Sequence, residues 1–332
     1  MSGSGTRGGA RARLAAAVAL ALLVLATSSC CSTCVDIIEL VVEEAVEEEA
    51  DEDAPRVDLG TAEHPADNAA AAVRHKWWVP RLDPEKYRLG YQVPKVEAQR
   101  IERAYDDWAH RVHHRRLNKD TFQWRPPPGC FGGLQCVYAA LDQQGRDAIE
   151  PLADLFVQRL QEEKLSALDV AALVITFVQA ITYEIPKGEP FGVRPPALVV
   201  REKKGDCDSK ALLGHLILRR LGIHSVLISS QAHKHTMLGV ALPAAGKSFS
   251  WKGRRYAFVE TTAKRSPIGH IDPKLLRPND WQTVRLDYDQ VAKPSELRRK
   301  RRKGGDNRSQ PLRSGRSGRT SGAQSGGRIR LD

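Results

Sequence analysis

Hydrophobic positions divide the ordered part of this 332-residue chain into a helical stretch followed by a strand-rich one. In "SALDVAALVITFVQAITY", Val170, Leu173, Val174, Phe177, Val178 and Ile181 recur at spacings of three and four, which predicts a helix with one buried stripe. Ser166 and Asp169 stand three apart at its start, as a capping pair does. In "KKGDCDSKALLGHLILRRLG", Leu212, Leu213, Leu216, Ile217 and Leu221 form a second stripe, with His215, Arg219 and Arg220 on another face. Asp206 is placed to cap the start of this helix, and Gly222 to end it in the left-handed conformation. Polar helices are expected over 95–117 and 147–163. The stretch "EIPKGEPFGVRPPA" is irregular and superficial by its Pro and Gly content. Beyond Gly222 the residues favour strands, at 224–230, 236–242 and 255–262. Helices first and strands later predict an α+β fold, with N-terminal helices packed on an antiparallel sheet and disordered termini.

At the N-terminus, Arg7, Arg11 and Arg13 precede the uncharged run "LAAAVALALLVLA" (14–26). That run suits a signal peptide and falls short of the roughly 20 residues a spanning helix needs. "TSSC" then ends at Cys30, and small residues before a cysteine resemble a bacterial lipoprotein cleavage site. The expectation is an exported protein on the periplasmic side of a bacterial membrane, lipid-anchored at Cys30. Cleavage to a soluble form and an uncleaved anchor are the alternatives. Residues 35–53 carry ten acidic side chains and no basic one, so 31–75 reads as a flexible spacer. Order is expected from "HKWWVPRLDP", with Trp77 and Trp78 docking on the body. The expected divisions are a signal segment 1–30, the spacer 31–75, a helical extension 76–146, a catalytic domain 147–292 and a basic tail 293–332.

The net charge of +11 suggests a nucleic-acid binder until it is located. Residues 293–332 hold 13 Lys/Arg against 3 Asp/Glu, which leaves the body of the protein nearly neutral. The tail has nothing to bury. In an exported protein its partners would be an anionic membrane or acidic cell-wall polymers, and no nucleic-acid partner is expected. Three of the six cysteines crowd the signal segment, and Cys130 and Cys136 are spaced to close a small disulfide loop. A metal would need a larger ligand set than that pair, and no phosphate-cradling glycine loop is evident, so neither cofactor nor metal is expected. Cys207 remains as the odd thiol.

A cysteine in the first turn of a helix is either a small buried hydrophobe or a nucleophile, since a helix N-terminus favours thiolate. A nucleophile needs a base and a group that orients the base. His233 and His235 in "QAHKHTMLGVAL" open the second predicted strand, and Glu260 in "YAFVETT" lies on the third. The strings "KKGDCDSKALLGHLILRRLGI", "HKHTMLGVALP" and "YAFVETTAKRSPIG", over about 150–275, resemble the transglutaminase-like superfamily of papain-related cysteine hydrolases and acyltransferases. The nearest resemblance is to bacterial transglutaminase-like cysteine proteases. The resemblance implies a transglutaminase/papain-like core with Cys207 as nucleophile, His235 as base and Glu260 as third member, where many relatives have Asp. It implies thioester acyl transfer on a protein or peptide substrate, as a peptidase or amidase. Transamidation on the same triad and a non-catalytic binding module are the competing functions. The backbone N–H of Cys207 is the natural oxyanion donor, and Gln179 is a candidate for the second.

Overall fold

The computed structural model describes residues 56–64, 71–112, 114–118, 121–124, 134–187, 189–284, 286 and 330–331. The expected signal segment, Cys30, the acidic run and most of the basic tail lie outside the described residues. Among the described residues, five helices and thirteen short strands make a mixed α+β structure, the class expected from the sequence patterns.

The chain enters through a three-stranded sheet of β1 (Arg56–Glu63), β2 (Val73–Trp78) and β3 (Lys86–Gln92), in the order β1-β3-β2. Residues 56–63 and 73–75 had been read as spacer, yet they form strands. Leu59, Ala62 and His75 are buried there, a signal too sparse to stand out beside the acidic and Ala-rich stretches. Trp77 is buried against Tyr87, Phe156 and Phe177. Trp78 is 36% exposed, with the Arg265 guanidinium 4.5 Å above its ring. Helix α1 (Lys95–Arg111) follows, then the hairpin β4 (His114–Asn118) and β5 (Thr121–Trp124).

Helix α2 (Gln135–Glu162) starts twelve residues before the expected 147 and runs through Pro151. Its buried face holds Val137, Tyr138, Leu141, Ile149, Leu152 and Phe156. Cys136 is disulfide-bonded, while Cys130, its expected partner, lies outside the described residues.

Helix α3 (Ala167–Ala180) is capped as its sequence predicts, with the Asp169 N–H donating to Ser166 Oγ at 3.1 Å. All six stripe residues are buried. The chain then forms β6 (Thr182–Tyr183), the short helix α4 (Pro196–Glu202), β7 (Lys204–Gly205) and α5 (Cys207–Arg220). Strands β6 and β7 pair in parallel, Thr182 opposite Lys204 and Tyr183 opposite Gly205, so the end of α3 lies beside the residues that lead into Cys207.

Helix α5 is central. It packs on α2, α3 and α4 on one side and on strands β8 (Ser225–Ser230) and β9 (His235–Val240) on the other. This explains why His215, on another face than the leucine stripe, is buried with Nδ1 2.8 Å from Ser225 Oγ. Gly222 ends the helix at φ +78°, where a side chain would be strained.

The main sheet is completed by β10 (Ser248–Trp251), β11 (Arg254–Val259), β12 (Gln282–Val284) and β13 (Arg330–Leu331), in the order β12-β8-β9-β11-β10-β13. Alternation sets its two faces. Leu227, Leu238, Val240 and Val259 join the main core, while Val226, Ile228, Met237 and Phe258 pack on the other side with Phe249, Ile271 and Trp281. The last strand places two residues of the basic tail, Arg330 and Leu331, on the sheet edge beside β10. Among the described residues no helix is long and apolar enough to cross a membrane.

His75 makes the fold sensitive to acid. Its ring lies edge-on to Phe177, with Nε2 3.0 Å from Val200 O, and burial, with Lys203 nearby, pulls its pKa from 6.5 to about 4. The unfolded chain therefore binds the proton first, and this contribution is present above pH 6.5 and lost as pH falls through 4. The shift corresponds to about 3 kcal/mol. Asp206 works oppositely, because burial and Asp208 raise its carboxyl and so favour the folded form towards acid. The comparison of His75→Gln with the native protein isolates the first effect. In urea titrations between pH 7 and 4, the stability difference between the two is expected to shift by about 3 kcal/mol in favour of His75→Gln.

Candidate active site

Asp206 caps α5 through its side chain, accepting the Ser209 N–H at 2.9 Å, and this fixes Cys207 as the first helical residue. Cys207 is a free thiol, buried to 5% exposure. Opposite it, β9 begins at His235, and the N–H of the next residue, Thr236, hydrogen-bonds to the Cys207 sulfur. The antiparallel register of β9 and β11, with Val259 opposite Leu238, carries the chain beyond β11 back along the start of β9. Glu260 is the first residue past that strand, and its Oε2 lies 2.8 Å from His235 Nε2. Its other oxygen accepts the Thr262 N–H at 2.7 Å and the Thr262 hydroxyl at 2.6 Å.

Burial alone would raise the Glu260 carboxyl, but the bond and charge of His235 and the two bonds from Thr262 hold it below its usual value. A carboxylate fixed in this way orients the imidazole and leaves Nδ1 as its second working nitrogen. Trp281 packs edge-on against the His235 ring at 6.3 Å. His233 points elsewhere, with Nε2 3.1 Å from Asp280 Oδ2 and its ring on Trp281.

The thiol departs from expectation. The helix N-terminus is expected to favour thiolate. Burial raises its pKa well above the ordinary value instead, and the Asp208 and Asp206 carboxylates add to that rise. The Thr236 N–H opposes them. A buried thiolate beside two acids is costly, and one backbone donor does not offset both.

Gln179 also departs from its expected role. Its side-chain amide donates to Glu260 O at 2.8 Å and Ser266 O at 2.9 Å, which uses both of its N–H groups. It is therefore a strut under Glu260 and has no proton left for an oxyanion. Lys210, fully buried, supports the same place by donating from Nζ to Gln179 O at 3.3 Å and Ile181 O at 2.6 Å. Burial lowers its ammonium to about 8, opposed by the charge of Glu260.

Sequence reasoning missed Tyr138, Asp208, Thr236, Thr262, Lys210 and Trp281. Thr262 was legible in principle, since a Thr two residues beyond a carboxylate can fold back onto it. Tyr138 and Trp281 are far from Cys207 in the chain and carry no local signal.

Asp206, Cys207 and Asp208 offer ligand atoms all within 4.8 Å of one another. Protein donors already engage both acids, Ser209 N–H on Asp206 and Tyr138 and Thr236 hydroxyls on Asp208, so the group is a cap and a clamp.

No family model and no curated protein matches the chain. Among solved structures, a "putative protease" from Parabacteroides distasonis is similar at 14% identity and a TM-score of 0.28, over 47% of this chain and 36% of that one. The match thus spans about a third of that protein's length. A likeness this slight defines neither fold nor activity, and the site is read from its own side chains.

Proposed function

We propose that the protein is a cysteine hydrolase, a peptidase or amidase of transglutaminase-like type, acting by thioester acyl transfer through Cys207, His235 and Glu260. The observation that carries the reading is the 2.8 Å bond between His235 and Glu260 at the start of the strand whose next N–H meets the Cys207 sulfur. An oriented imidazole beside a helix-start thiol is the arrangement nucleophilic catalysis requires.

In this reading His235 Nε2 donates to Glu260, and Nδ1 removes the Cys207 proton as sulfur attacks the substrate carbonyl carbon. The carbonyl oxygen takes up negative charge against the Cys207 N–H, because first-turn amides of a helix lack intrahelical acceptors. The imidazolium then protonates the leaving amine, and the C–N bond breaks to give a thioester. Water, deprotonated by His235, attacks the thioester, and the carboxylic acid leaves as the thiol is restored. Because the resting thiol is neutral, His235 works as a general base rather than as half of a standing ion pair.

The protein is further proposed to be exported and held at a membrane through Cys30. The arginines, the run "LAAAVALALLVLA" and "TSSC" support this. The basic tail would then face anionic lipid or cell-wall polymer.

A thiol-directed peptide probe tests the reading. It should label Cys207 in the native protein, and His235→Ala should prevent labelling. Hydrolysis in the presence of a primary amine separates the two reaction classes, since a transamidase returns the amide and a hydrolase the acid. Labelling that persists at full rate without His235 would overturn the triad.

A further inference from the structure

We propose that Asp208 governs the resting state of this thiol: it accepts a hydrogen bond from the Cys207 thiol and ties the start of α5 both to α2 and to the strand that carries His235. The Cys207 thiol donates to Asp208 Oδ2 at a sulfur–oxygen distance of 3.6 Å. The other oxygen, Oδ1, accepts the Tyr138 hydroxyl from α2 and the Thr236 hydroxyl from β9, the latter at 2.8 Å. Tyr138 and Thr236 are almost wholly buried, so these contacts do not exchange freely with water. One carboxylate therefore joins three elements, and the sulfur sits between that acceptor and the Thr236 N–H.

The surroundings reinforce the effect. The charged and titratable groups acting on the thiol are Asp206 and Asp208 on α5 and Tyr183 on β6, with Tyr105 on α1 and Tyr138 on α2 around the acids, while His235, bonded to Glu260, precedes Thr236 on β9. In the proposed reaction His235 is the group that becomes a cation. Until a substrate draws the proton towards His235, Asp208 keeps it on sulfur. A protonated thiol is a poor nucleophile and oxidises slowly, so the site stays inert to oxidants while it is empty. The catalytic consequence rests on the reading of Cys207 as nucleophile, whereas the thiol's own ionisation does not.

Alkylation of Cys207 by iodoacetamide, followed against pH by mass analysis of the Cys207 peptide in the full chain, needs no substrate. The native midpoint is expected above the ordinary thiol value of about 8.5. Asp208→Asn keeps the shape, still accepts from Tyr138 and Thr236, and offers an N–H to sulfur where an acceptor stood. Its midpoint should fall by at least one unit, making alkylation at pH 7 about tenfold faster or more. An unchanged or higher midpoint in folded Asp208→Asn would overturn the proposal. Should that variant not fold, Asp208→Ser decides by the same reading: a midpoint at least one unit below the native one supports the proposal, and an unchanged or higher midpoint overturns it. If alkylation behaves as expected but the peptide probe never labels Cys207, the hydrolase reading falls and the role of Asp208 stands. The reverse outcome removes Asp208 alone.

Discussion

Cys207→Ala and His235→Ala are each expected to lower turnover of a peptide or amide substrate by at least about a thousandfold, because members of such a unit fail together. Stability should stay within about 1 kcal/mol for Cys207→Ala, since the thiol contributes one small buried atom and two weak hydrogen bonds, to Asp208 and from the Thr236 N–H. Glu260→Gln should cost less than either. It keeps the shape that Thr262 holds and loses the charge that supports the imidazolium. Substitution of His233 should leave turnover largely intact, because that ring is engaged by Asp280 and Trp281. Steady-state kinetics beside urea unfolding of each variant checks all four. A Cys207→Ala protein with native turnover would end the reading of Cys207 as nucleophile.

Gln179→Leu is expected to destabilise the fold by about 2–4 kcal/mol, because it strands Glu260 O and Ser266 O without their donor. Lys210→Met strands Gln179 O and Ile181 O in the same way, but it also relieves a buried charge, so its cost at neutral pH should be smaller. The pH dependence separates the two terms. The Lys210 ammonium titrates near 8 when folded and near 10.5 when free, so the unfolded chain binds more protons between those values. Native stability relative to Lys210→Met should rise by about 3 kcal/mol as pH climbs through that window, and be lost again as pH falls through 8. Urea midpoints at pH 7.5 and 10.5 read this directly. For Gln179→Leu, turnover per folded molecule should fall no further than it does in Glu260→Gln. An unchanged unfolding midpoint with a thousandfold loss of kcat would instead return Gln179 to the oxyanion role.

The contrast between Gln179 and Ser166 shows what a sequence can and cannot carry. Ser166 and Asp169 act within one helical turn, so spacing alone predicts their bond. Gln179 lies on an equally clear helix, but its partners are 81 and 87 residues away, and nothing in the periodicity of α3 says which loop will meet it. The same limit hides the partner of His215: the stripe of α5 and its other face are legible, but nothing local says that a sheet packs on that face and brings Ser225 to the ring. It also misjudged β1, whose few apolar residues gain meaning only beside β3.

By itself the sequence determined the local features: the helix caps at Ser166 and Asp206, the left-handed Gly222, the stripes of α3 and α5, the alternating strands and the α+β class they add up to. It also singled out Cys207, His235 and Glu260 as the side chains to watch. Backbone preference and periodicity act over a few residues, and these features need nothing more. Only the tertiary structure decided what surrounds them. It brought Glu260 onto His235 by strand register, buried the thiol and placed Asp208 and Asp206 against it so that its ionisation is disfavoured, and turned Gln179 and Lys210 into supports. Charge and burial depend on every chain segment that closes around a group, and that neighbourhood exists only once the segments have packed.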